Sequence, residues 1–224
     1  MSLLALAPAA LTAAADWAAV WFERRRLGWL TKPAVLLMLL AGFSLAGGWH
    51  APLTWFGLAL VFCLVGDILL MLPARAFIFG LAAFLLGHIC YTLFFTLAHP
   101  PSLRALIPAL ALVTLLSWPA FVPVFRALRR KAYGMSFMLP MTLYSLALSL
   151  MLASALSLPF NPAWCKLPAL LCAAGAALFY LSDVILSHNR FAQPIPRARF
   201  WTRLPYHSGQ ILLTAGALLQ FAVQ

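Results

Sequence analysis

Carboxylates are the scarce reactive groups in this chain. Among 224 residues there are four: Asp16, Glu23, Asp67 and Asp183. Asp67 stands in Val65-Gly66-Asp67-Ile68-Leu69-Leu70-Met71 and Asp183 in Leu181-Ser182-Asp183-Val184-Ile185-Leu186, each behind a small residue in an apolar run. An acid placed at the centre of a membrane helix costs about 2.5–3.5 kcal/mol on insertion scales and normally faces the bundle interior. Two such acids can divide roles, one protonated as general acid, the other ionised as base or charge stabiliser. The rival chemistries have no residues to run them. There is no GxSxG, no HExxH and no Walker-type glycine loop, and Cys63, Cys90, Cys165 and Cys172 show no CxxC spacing. No cofactor and no metal is expected, and the cysteines read as small core residues.

Apolar helices must carry these acids. The chain is 65% hydrophobic and 8% charged, with a mean hydropathy of +0.98. A soluble domain is about half apolar and a quarter charged, which excludes that class. A window of about 20 residues gives eight spans: 3–22, 33–49, 52–72, 77–98, 104–125, 133–158, 164–187 and 205–223. The expected fold is all-α, a single polytopic membrane domain over 1–224 built as a bundle of eight transmembrane helices. The first span lacks a basic leader and is followed by its positive charges, as in a retained helix rather than a signal peptide.

Charge orients the bundle. Thirteen of the 15 basic residues fall in alternate loops: Arg24, Arg25, Arg26, Lys32, Arg75, Arg126, Arg129, Arg130, Lys131, Arg190, Arg197, Arg199 and Arg203. Only Arg104 and Lys166 fall on the other side. The positive-inside rule puts these loops in the cytoplasm and both termini outside, as in a bacterial inner membrane. The formal net charge of +11 is then a membrane signature, and no nucleic-acid-binding motif accompanies it.

In this topology Asp67 and Asp183 lie at one depth, roughly 7 Å from the cytoplasmic ends of spans 3 and 7. Their matched settings suggest an old duplication, two parallel four-helix repeats placing equivalent residues at equal depth. Further polar side chains gather near this level. Lys32 before Pro33 opens span 2, and Tyr206, His207 and Gln210 open span 8. Tyr180 lies almost a turn above Asp183, and His88, Tyr91 and Tyr144 project from spans 4 and 6. Together they describe a polar pocket in the inner leaflet; singly each also serves as an interhelical hydrogen-bonding group. Asp16 also sits near an inner helix end. Its expected neutralisers are the adjacent Arg24 to Arg26, and its replacement is expected to be mild.

An ordered set of short motifs resembles the YhhN family of membrane proteins. It runs through Thr31-Lys32-Pro33, Gly66-Asp67-Ile68-Leu69-Leu70-Met71, Phe79-Gly80-Leu81 with Phe84, and Gly87-His88-Ile89-Cys90-Tyr91. It continues through Tyr144-Ser145, Ser182-Asp183, Asn189-Arg190-Phe191, Tyr206 and Gln210. The resemblance covers nearly the whole chain but not the first span with Asp16. It implies a hydrolase that cleaves the vinyl-ether bond of a lysoplasmalogen, releasing a fatty aldehyde and a glycerophospho-alcohol. Asp67 and Asp183 would be the acid–base pair. Lys32, His88, Tyr91, Tyr144, Tyr180, Asn189, Arg190, Tyr206 and Gln210 would surround a lysophospholipid, with Lys32, Arg190 and Arg203 as phosphate contacts. No obligate protein partner is implied.

Two other classes fit paired intramembrane acids: a proton-coupled lipid or small-molecule transporter, and a lipid-binding protein without turnover. Helices broken near mid-membrane would favour the first. Span 5, with Pro108, Pro119 and Pro123, comes nearest and carries no charge there.

Overall fold

Six prolines of this chain do not mark helix starts. Pro33, Pro108, Pro119, Pro123, Pro140 and Pro205 all lie inside helices. Neighbouring helices in a bundle re-satisfy the carbonyl that each proline leaves without its donor. The computed structural model describes residues 3–131 and 134–221, so the expected span limits at 133 and 223 lie outside the described residues. Among the described residues eight long α-helices follow one another: α1 (Ala7–Trp21), α2 (Arg25–Leu45), α3 (Leu53–Met71), α4 (Phe77–Ala98), α5 (Leu103–Arg129), α6 (Gly134–Ser157), α7 (Lys166–Ser187) and α8 (Ala198–Phe221). There is no strand among the described residues.

Two expected starts are corrected. Helix α2 begins at Arg25, not at Pro33, and α8 at Ala198, not at Pro205. A proline fits the first turn of a helix, which is why both read as starts. Lys32, Tyr206, His207 and Gln210 are consequently carried about two to three turns into their helices.

Seven helical segments among the described residues are long and apolar enough to cross a membrane; α8 is the exception. Yet α8 lies antiparallel along the full length of α7. Gly216 meets Pro168 and Cys172 at one end, Gly209 meets Gly175 midway, and Tyr206 packs on Phe179 nearer the other end. Its polar residues are therefore shielded by α7, α1, α2 and α3 rather than by lipid, so low hydropathy does not expose them.

The α7–α8 contact is made by small residues. A Cβ on Gly175 would stand 2.7 Å from the Gly209 carbonyl oxygen, and one on Gly209 would stand 2.7 Å from that of Gly175. Two backbones cannot approach that closely around a side chain. Gly209→Val is expected to destabilise the protein by about 1–3 kcal/mol, as an overpacked contact does. Thermal unfolding in detergent measures it, and an unchanged midpoint would refute the close contact.

Helices α1, α3, α5 and α7 end where α2, α4, α6 and α8 begin. Phe77 at the start of α4 meets Phe137 of α6, and both meet Phe191 in the π-helical turn His188–Ala192 after α7. Thirteen basic residues belong to this end, while Arg104 and Lys166 open α5 and α7 at the other. The far end is closed by apolar and neutral contacts, among them Trp164 against Phe94 and the Asn161 amide donating to the carbonyl of His99.

Candidate active site

Asp67 lies one turn before the end of α3 and is fully buried. Gly66 beside it leaves room for the Phe84 ring of α4, which a Cβ would meet at 2.6 Å. The Lys32 ammonium of α2 stands 2.8 Å from Asp67 Oδ1, and the Tyr206 hydroxyl of α8 donates to Oδ2 at 2.9 Å. One cation and one directed hydrogen bond suit an ionised carboxylate.

Asp183 occupies the matching place in α7. The Tyr144 hydroxyl of α6 donates to its Oδ2 at 2.6 Å, and His88 Nε2 of α4 lies 3.2 Å from the same oxygen. No lysine or arginine pairs with it among the described residues. Oδ1 takes part in none of these contacts.

The two settings share a plan. Each aspartate has one partner on the helix before its own and one on the final helix of the other half. For Asp67 these are α2 and α8; for Asp183 they are α6 and α4. Exchanging the halves α1–α4 and α5–α8 turns one pattern into the other. Between the two lie the rings of Phe84, Phe179 and Tyr206. Phe179 is 5.1 Å from Tyr206 and 5.0 Å from His88 by ring centroids.

Both aspartates line a single cavity of about 530 Å³ that opens at the basic end of the bundle. Lys32, Tyr206 and Asn189 line it too, together with residues that the sequence reading had not placed in the pocket: Glu23, Arg24, Arg25, Arg197, Phe84 and Ser182. The rim arginines were legible only as orientation charges. The other expected site residues sort by distance from this space. His88 and Tyr144 stand behind Asp183. Tyr91 and Gln210 pair with each other, the tyrosine hydroxyl donating to Gln210 Oε1. Two expected residues face elsewhere. The Tyr180 hydroxyl bonds Ser117 Oγ of α5 at 2.8 Å, and Arg190 lies over the Phe77 ring, 4.7 Å from its centroid.

Asp16 departs furthest from expectation. It is fully buried, and its counter-ion is not among Arg24 to Arg26 but is Arg203 of α8, whose Nη1 donates to Oδ1 at 2.7 Å. Thr31 of α2 donates to the same oxygen at 2.6 Å, and His207 Nδ1 is 3.6 Å from Oδ2. Arg24 to Arg26 are near in sequence but stand at the start of α2, past the end of α1, whereas α8 packs alongside α1.

Among the described residues no three of His, Cys, Asp or Glu form a metal-ligand group. What the cavity holds is an acid pair in two different electrostatic settings, an aromatic floor and a basic mouth. That arrangement can protonate and deprotonate an amphiphile with an anionic head.

The YhhN family model matches residues 27–217, taking in both aspartates and every partner named for them. The lysoplasmalogenase TMEM86B of Sus scrofa is 35% identical over 179 residues, 80% of this chain and 69% of its own. The human protein of the same name is 32% identical over 205 residues, 89% of this chain and 80% of its own. A lysoplasmalogenase of Mycobacterium tuberculosis (strain CDC 1551 / Oshkosh) is 31% identical over 188 residues, 82% of this chain and 67% of its own. No solved structure matches. With the match running from α2 almost to the end of α8, this chain belongs to the YhhN family.

Proposed function

We propose that this protein is an integral-membrane hydrolase that cleaves the vinyl-ether bond of a lysoplasmalogen. The observation that carries the reading is the shared cavity of Asp67 and Asp183, in a chain similar to lysoplasmalogenases over most of its length. In this reading all eight helices cross the membrane, α8 because it matches α7 end to end. The basic end, and the site with it, faces the cytoplasmic leaflet. The interchangeable partner pattern supports an origin by duplication of four helices.

The partners assign the roles. Asp67 is the anion, since the Lys32 ammonium is its ion-pair partner and the Tyr206 hydroxyl donates to its other oxygen. Asp183, with no cationic lysine or arginine and with Oδ1 uncommitted, carries the proton. It transfers that proton to the β-carbon of the vinyl ether, and the π electron pair forms the new C–H bond. The α-carbon becomes an oxocarbenium ion, stabilised by the Asp67 charge across the aromatic floor. Water adds to that carbon and loses a proton to Asp67. The hemiacetal then collapses: Asp67 returns its proton to the glycerol oxygen as that C–O bond breaks, the hemiacetal hydroxyl gives its proton to Asp183, and aldehyde and alcohol leave with both acids reset. Charge develops as in glycoside hydrolysis, where two carboxyl groups also flank an oxocarbenium-like transition state.

Purified protein incubated with lysoplasmalogen is expected to release one fatty aldehyde per glycerophospho-alcohol. Binding without aldehyde would instead support a lipid carrier and refute the reaction.

A further inference from the structure

Asp16 lies outside the residues that the family model matches, yet it is the most heavily engaged carboxyl group in the protein. It touches neither Asp67 nor Asp183. Its one strong contact that reaches the cavity is Arg203, a lining residue whose side chain is only 13% exposed.

Arg203 is fastened through one end of its guanidinium. Nη1 gives one hydrogen bond to Asp16 Oδ1 at 2.7 Å and another to the carbonyl of Gly28 at 3.0 Å. Those two bonds use both hydrogens of Nη1, and Nη2 and Nε make none among the described residues. Three N–H groups of a planar, always-charged fork are thereby left over, the geometry that suits a phosphate. Gly28 is shaped for this clamp, since a Cβ there would lie 3.3 Å from Nη1. Thr31 fixes Asp16 in turn, and Trp17 Nε1 reaches the Arg203 carbonyl at 3.4 Å. Without the clamp, Arg203 would be free to turn to Asp67, the buried anion lining the same cavity. The mouth arginines are different in kind. Arg24, Arg25 and Arg199 are exposed, and Arg197 stacks on Trp21 at 4.0 Å.

We propose that Asp16 is a positioning residue that holds Arg203 by one guanidinium nitrogen, so that the rest of its fork anchors the phosphate of a lysophospholipid. The proposal rests on the lysophospholipid reading above. The phosphate is remote from the reacting ether, so a fixed arginine holds the lipid equally before and during reaction, which is uniform binding.

The test compares binding of two non-cleavable ligands, a saturated 1-O-alkyl lysophospholipid and the 1-O-alkylglycerol without phosphate, together with turnover of lysoplasmalogen. Wild type should prefer the phosphorylated ligand, and Arg203→Gln should lose most of that preference. Asp16→Asn should reduce the preference about tenfold, by raising KM rather than lowering kcat, as lost preorganisation does. The double variant should be no worse than Arg203→Gln alone, because both changes remove one interaction. Should Asp16→Asn fail to fold, Thr31→Val loosens the same carboxylate without removing its charge, and a loss of preference of about threefold is expected. Equal weakening of both ligands by Asp16→Asn, additive losses in the double variant, or no preference in wild type would overturn the assignment. A wild type that keeps the preference but forms no aldehyde would count against the reaction and leave Asp16 in its role.

Discussion

Asp183→Asn is expected to lower aldehyde release by about 10²- to 10⁴-fold, the usual contribution of a general acid or base. The amide keeps the volume and can still accept the Tyr144 hydroxyl bond, but it has no proton to give to carbon. Asp67→Asn should fall into the same range for a different reason. The oxocarbenium ion loses its nearest anion, and water loses its base. That variant also strands the Lys32 ammonium in a buried position, at a cost of about 3–5 kcal/mol. A second change separates the two effects. Asp67→Asn with Lys32→Met removes both charges, so stability should recover while activity stays low. Turnover with lysoplasmalogen, beside thermal unfolding of each variant, measures both quantities. Activity within a few-fold of wild type in either single variant would strike that aspartate from the mechanism.

The sequence shows the two acids readily because acids are so few and the apolar background so uniform. It also shows which end of the bundle is basic, since loop charges need no knowledge of packing. What it hides are pairings between distant segments. Arg203 is 187 positions from Asp16 and reads as one more loop cation, while Arg24 to Arg26, closer along the chain, make no ion pair with it among the described residues. Hydrophobic periodicity could not find the match, because it shows which face of a helix is buried but not which other helix covers that face. Two further signals misled. Prolines at 33 and 205 look like helix starts, which put Lys32 and Tyr206 at the openings of spans 2 and 8 and in the polar pocket but did not single them out as the partners of Asp67. The motif holding Arg190 suggested a phosphate contact, but the π-helical turn at His188–Ala192 swings that side chain onto Phe77. The partner pattern around the aspartates is a third property of the folded chain. The duplication could be suspected from two short stretches of sequence, but the exchange of α2 and α8 for α6 and α4 needed coordinates.

Cleavage in D₂O is expected to place one deuterium on carbon 2 of nearly every aldehyde molecule released. In the proposed mechanism Asp183 delivers a solvent-derived proton to the β-carbon of the vinyl ether, which becomes that carbon. The aldehyde must be trapped as it forms, because enolisation would exchange the same position without the enzyme. Mass spectrometry of the trapped product reads the label directly. Protonation of carbon is also the step that builds the oxocarbenium charge, so turnover should be slower in D₂O than in H₂O. The two results are linked through one transition state, and Asp183→Asn should suppress the labelled product in proportion to turnover. Substitution by water at the α-carbon, with expulsion of the glycerol alkoxide, would leave an enol and so also end in aldehyde with label at carbon 2. It would need a strong nucleophile and an electrophile for the leaving oxygen, however, and would not be slowed by a carbon protonation at the barrier. Oxidative cleavage would break the carbon skeleton and give no such label. Unlabelled aldehyde, or labelled aldehyde formed at the same rate in both solvents, would therefore remove Asp183 as the proton donor to carbon even if the protein proved to be the hydrolase.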